Sequence, residues 1–153
     1  MMTMPHFGLI DNGMNPEEET LLRAKLHIRG GDVRLEKGEL EDAIASYYDA
    51  FSSGMLRFYL SEELRSKYRL PNLPDLTDDH AIFLALKESG VIGESFTDLN
   101  FHQTEIMLNA AFEGSVKNYD YKSVLERLFD VMTELEVLPI LAGELPEVNS
   151  ITL

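Results

Sequence analysis

His102 and Glu105 stand three residues apart, a spacing that sets two side chains together on one helix face. An imidazole beside a carboxylate can ligate a metal or move a proton. Metal sites in helical bundles gather several carboxylates and Glu-x-x-His pairs from facing helices. Here the order is reversed and there is no second copy, so no metal is assigned. Asp78-Asp79-His80 offers ligands for a hard cation, but aspartates there also suit a helix cap. Glu17-Glu18-Glu19 suits the positive end of a helix dipole. His27 falls inside an apolar pattern, where packing accounts for it. The chain has no cysteine and no Gly-x-Ser-x-Gly, so nucleophilic catalysis has no signature. The glycines of HIRGGD, residues 27–32, lack the spacing and lysine of a phosphate loop. No catalytic residue and no cofactor are assigned, and the expectation is a protein that is not an enzyme.

What remains is binding chemistry. Arg29, Arg34, Tyr48, Arg57 and Arg65 are the candidates. Tyr47, Tyr48, Tyr59 and Tyr68 recur along one predicted helix and can form a stacking platform, although at helical spacing such a stripe more often packs a core.

Those residues need elements to hold them. The 153 residues suffice for one domain with one core, and an apolar content of 44% is that of a globular chain. No apolar run reaches the ~20 residues that span a bilayer, and the first fifteen residues lack a basic and apolar leader pattern. With no cysteine, a cytoplasmic place is expected. Net charge is −14, which repels phosphate backbones. The charge is uneven: residues 1–76 hold 9 Lys/Arg against 13 Asp/Glu, and residues 77–153 hold 4 against 14. Solvated helix faces with pairs such as Glu19 and Arg23 account for most of the basic residues.

The pattern predicts an all-α fold of about five helices, an antiparallel bundle over residues 15–142. A loose arm over 1–14 and a flexible tail over 143–153 flank it. Asn15-Pro16-Glu17 is a strong helix start, and the first helix runs to Glu36. Gly38 ends it as a left-handed cap. A second helix runs from Glu39 to Tyr68, with Leu40, Ile44, Tyr47, Phe51, Met55 and Phe58 on one face and a bend at Ser52-Ser53-Gly54. Pro71 and Pro74 make an extended connector. A third helix covers Asp78–Glu88. A fourth covers Thr97–Lys117, with Leu99, Phe101, Ile106, Met107, Ala110 and Ala111 apolar. A fifth covers Asp120–Leu138. Gly30-Gly31 inside the first helix costs roughly 1 kcal/mol per glycine relative to alanine. A close neighbour explains that cost, and Ala43 is expected against Gly31.

Ala24, Gly31, Leu35, Gly38, Ala43, Tyr47 and Ala50 follow the small and large positions of a helical hairpin. On these residues the stretch 24–51 resembles a tetratricopeptide repeat, with His27 where the family has an aromatic residue and no closing proline. The resemblance implies a module that binds a protein or peptide in a groove beside the first two helices. The hairpin with ASYYDAF (residues 45–51), the proline connector and three later helices also looks like a HEPN-type bundle. Ribonucleases of that family use an Arg followed by a His, in that order, with four to six residues between them. No such pair is present, so this resemblance implies a member that binds a nucleotide or RNA without cleaving it.

Wide apolar faces on the second and last helices lead to an expected homodimer. For nucleic acid the charge decides. In an anisotropy titration the protein is expected to show no salt-sensitive binding to duplex DNA. Micromolar binding that weakens with salt would show the basic cluster outweighing the net charge.

Overall fold

A computed structural model describes residues 14–145. Among these, 70% are helical and none is in a strand. Residues 1–13 of the expected arm over 1–14, and residues 146–153 of the expected tail, lie outside the described residues. Within residues 143–145, Glu144 forms an ion pair with the buried Lys25 and accepts from the Leu141 amide at 2.8 Å.

Helix α1 spans Pro16–Glu36. Asn15 accepts from the Glu18 amide at 2.9 Å and Glu18 reaches back to the Asn15 amide, so two orphan donors are satisfied at once. Gly38 turns the chain at φ +79°. Helix α2 then runs unbroken over Leu40–Leu60, through the residues 52–54 where a bend is expected. Gly54 there serves a different purpose. A Cβ on it would lie 2.6 Å from Val137 Cγ2, so its bare backbone admits the segment after the last helix.

The expected long second helix breaks at Ser61, whose hydroxyl caps α3, Glu62–Tyr68, by accepting from the Leu64 amide at 3.1 Å. This break makes six α-helices among the described residues, where about five are expected. Helix α4 spans Asp79–Glu88, capped by Asp78 through the Ala81 amide. Helix α5 spans Asp98–Glu113, with a capping box between Thr97 and Asn100. It stops short of the expected Lys117 because Gly114 takes the left-handed conformation; a single 3-10 turn, Val116–Asn118, follows. Helix α6 spans Tyr121–Glu134. It ends before the expected Leu138 as Glu136 turns at φ +68°, which returns Val137 to the core.

Helix α2 is the axis. It packs along α1 and touches α3, α4, α5 and α6. Its buried face is the predicted one. Tyr47 packs edge-on to Phe129 of α6 at 4.9 Å. Phe51 meets Phe96 and Phe101 at 5.8 and 6.0 Å, and Phe83 of α4 stacks on Phe101 at 4.8 Å. These four phenylalanines are buried and join α2, α4 and α5.

The close approach of α1 and α2 is real, but the partner differs from the expected one. A Cβ on Gly31 would lie 2.5 Å from Tyr47 Cε1, so the Tyr47 ring, rather than Ala43, occupies the space. Ala43 is fully buried nearby on the same helix. Leu35, the large residue of the hairpin pattern, is 42% exposed.

Adjacent glycines therefore differ in sign. Gly31→Ala forces its methyl into a ring held by Phe129 and by the Asp32 carboxylate, an overpacking of ~1–3 kcal/mol. Gly30→Ala meets only the tip of the Arg34 side chain and gains up to ~1 kcal/mol of helix propensity. Urea unfolding should give a lower midpoint for Gly31→Ala and an equal or higher one for Gly30→Ala. Equal shifts in both would contradict the packing of Tyr47 on Gly31.

Candidate functional site between α2 and α5

The first turn of α4 places Asp79 and His80 one after the other. Asp79 turns toward α2, where its carboxylate accepts from Tyr48 Oη at 3.0 Å and Ser52 Oγ at 2.8 Å. His80 turns toward α5. Its ring lies against Phe83 and Phe101, and its Nε2 is 2.8 Å from Asp98 Oδ1. Asp98 opens α5, and one turn on, His102 Nε2 lies 3.4 Å from Asp98 Oδ2. The other nitrogen of that ring, Nδ1, faces Glu105 Oε1 at 3.3 Å. The His80 and His102 rings are 5.2 Å apart. The hydrogen bond from His80, ahead of the nearby histidine charges, holds the Asp98 carboxyl below the usual aspartate range.

Beside this cluster lies a cleft of about 490 Å³ lined by Tyr48, His102, Glu105, Ile106, Leu108 and Asn109. A shallower one of about 370 Å³ lies on the other side of Ile106 and Asn109, toward Ser115 and Tyr119. Between and beyond them α5 turns large apolar groups outward. Leu99 is 64%, Ile106 52% and Phe112 71% exposed. Leu99 and Ile106, expected among the apolar positions of this helix, therefore face away from the core. Phe101, Thr104, Met107 and Ala111 form its buried side.

Of the predicted binding residues, only Tyr48 lines the cleft. Arg34 donates to Ser46 Oγ at 3.2 Å. Arg57 lies over the Phe58 ring and donates to the Leu135 carbonyl and to Glu136 at 2.8 Å. Arg65 donates to the Tyr59 carbonyl. Arg29 is half-buried on α1. Neither cleft is lined by an arginine. The tyrosine stripe is core in the main: Tyr47 and Tyr59 are buried and Tyr68 packs on Phe58 at 5.9 Å. His27 is half-buried in the hairpin, and burial, with the charges of Arg23 and Arg34, disfavours its protonation.

His80 and Asp98 were missed as a pair with His102. Asp98 and His102 at i,i+4 on one helix were a legible signal; the approach of His80 from α4 was not. The structure also gives Asp78 and Asp79 separate uses, as cap and as acceptor for α2.

Compared with protein-family models, with the curated proteins and with the solved structures, the chain finds no match in any of the three.

Burial, then the charge of Asp79 and the bond to it, raises the Tyr48 phenol above its usual value. Burial, then the hydrogen bond to Asp32, does the same for Tyr47. A phenol held neutral in the fold contributes stability that is complete below the unfolded value of about 10. That stability is lost as pH rises toward the folded value. The unfolding free energy from urea titrations should fall as pH rises above about 10, and Tyr48→Phe should flatten part of that fall. A variant curve parallel to wild type would refute the buried neutral phenol.

Proposed function

We propose that this protein is a non-enzymatic helical module that binds a peptide or protein segment along α5, in the cleft shared with α2. The carrying observation is the outward face of α5. Leu99, Ile106 and Phe112 are exposed on one helix, and hollows lie on both sides of Ile106. Scattered surface apolar residues are ordinary; Leu99 and Ile106, two turns apart on one face of α5, with Ile106 in the wall of a recess, have the form that partner sites take. Tyr48 adds an aromatic wall whose hydroxyl is fixed by Asp79, so little side-chain entropy remains to be lost on binding. Glu105 and Asn109 supply polar groups at the rim, and the acidic surface favours a ligand with basic residues outside the apolar anchor. The repeat-like hairpin implies a peptide groove beside α1 and α2, and the cleft shares the second of these helices through Tyr48.

The HEPN-like alternative, binding of a nucleotide or RNA, draws on Arg29, Arg34, Arg57 and Arg65. Three of these already donate to acceptors within the protein. Among the described residues, no helix is long and apolar enough to cross a membrane.

Panning a displayed random-peptide library on the immobilised full chain tests the proposal. Peptides with an apolar anchor should be enriched on wild type and on Arg34→Gln, and lost on Ile106→Glu. No enrichment, or equal retention on Ile106→Glu, would end the reading. Concentration-dependent sedimentation abolished by Ile106→Glu would instead make a second copy of the chain the occupant.

A further inference from the structure

We propose that His80, Asp98 and His102 form a binding site for a divalent transition-metal ion of the zinc class, with Glu105 orienting His102. The proposal stands apart from the peptide reading and rests on two observations.

The first is geometry. One ligand atom from each of the three residues falls within 4.8 Å of the others. His80 Nε2 lies 2.8 Å from Asp98 Oδ1 and His102 Nε2 3.4 Å from Asp98 Oδ2, so both imidazoles address one carboxylate at close to the spacing of about 3.3–3.6 Å between ligands on a tetrahedral ion with bonds of ~2.0–2.2 Å. The side chains are partly exposed, so a small rotation closes the set around an ion. Their backbones are fixed: Asp98 and His102 ride on one capped helix, and the His80 ring rests on Phe83 and Phe101.

The second is the environment of His102. Both of its ring nitrogens face carboxylate oxygens, Nδ1 toward Glu105 and Nε2 toward Asp98. An ionised carboxylate only accepts, and a neutral imidazole carries one N–H. If Nδ1–H donates to Glu105, the Nε2 lone pair points at Asp98. A lone pair against a carboxylate is an unfavourable contact, and a metal ion between them relieves it, as a proton or a water also would. The Glu105 contact is also the one by which carboxylates set a metal-binding histidine, fixing its tautomer and turning the other nitrogen to the ion. Two imidazoles and one carboxylate suit zinc, cobalt or nickel better than magnesium or calcium, which prefer oxygen alone. Three protein ligands leave room for a water, and His102 and Glu105 border the cleft beside Tyr48.

The test titrates Zn²⁺, and separately Co²⁺, into the full metal-free chain by calorimetry, with Co²⁺ absorption reporting the ligand field. One equivalent should bind. His80→Gln and Asp98→Asn should each weaken binding by more than about tenfold, and Glu105→Gln by about tenfold, the range for an orienting partner. His6→Gln and His27→Gln should leave it unchanged. In the wild-type chain, Co²⁺ should broaden the ring-proton resonances of His80 and His102 and spare those of His27, a readout that needs no variant to fold. Absence of saturable binding, affinity unaltered by His80→Gln, or equal broadening of all histidines would overturn the site and leave a plain ion pair.

Discussion

The ring of Tyr47 is the constraint from which the rest of this structure follows. On one side it fills the space that Gly31 leaves bare. On the other it meets Phe129 edge-on, and its hydroxyl is fixed by Asp32 at 2.6 Å. One aromatic side chain thus sets the spacing of α1 and α2 and the approach of α6. An interior at crystal-like density leaves no slack for a methyl at Gly31. The helix-propensity cost of that glycine is the cost of bringing two backbones close enough for the ring to touch three elements.

With α2 anchored in this way, its next buried turn carries Phe51 into the cluster of Phe83, Phe96 and Phe101. This aromatic cluster does for α4 and α5 what Tyr47 does for α1 and α6. It also provides the floor on which the His80 ring rests. Polar groups at the surface are therefore held by apolar contacts beneath them. Asp79 and His80, neighbours in sequence, point to different helices because Phe83, a turn further on, fixes the rotation of α4. One reaches Tyr48 and Ser52; the other reaches Asp98.

Local chemistry was legible where it was strong. The capping box at Asn15, the cap at Gly38 and the period of α2 from Leu40 to Phe58 all lie where their residue types place them. The errors have a common physical origin. Ser52-Ser53-Gly54 reads as a bend until Val137 is known to need the space over Gly54. Ser61 looks unremarkable inside a helical pattern until its hydroxyl is seen capping Leu64. Leu99 and Ile106 read as core because apolar residues on α5 surround its whole circumference, and only the packing of Phe101 and Met107 decides which side is inward. The same holds for the candidate site. Its α5 half, Asp98, His102 and Glu105, follows helical spacing. Its α4 half depends on a contact across 18 positions, and no local pattern carries such information. For the arginines the converse holds: charge marks a residue as available for a ligand, and only tertiary structure shows which acceptors it already has, as Glu136 is for Arg57.

The pair between Lys25 and Glu144 closes a span of 119 positions. In an open chain, bringing those ends together would cost far more loop entropy than an ion pair returns. Within the bundle the helices have already done so, and the clasp is a product of the fold that then secures the chain after α6 onto α1. It is also a point of acid sensitivity. The hydrogen bond from Lys25 holds the Glu144 carboxyl below the usual glutamate range. Its contribution is complete above the unfolded value and is lost as pH falls through the lower, folded one. Once Glu144 takes a proton, the buried ammonium of Lys25 is left without its counter-charge, and residues 141–145 lose their tether. On acidification this segment loses its polar hold on α1, while the apolar contacts of the Tyr47 ring and of the phenylalanine cluster, which do not depend on charge, remain.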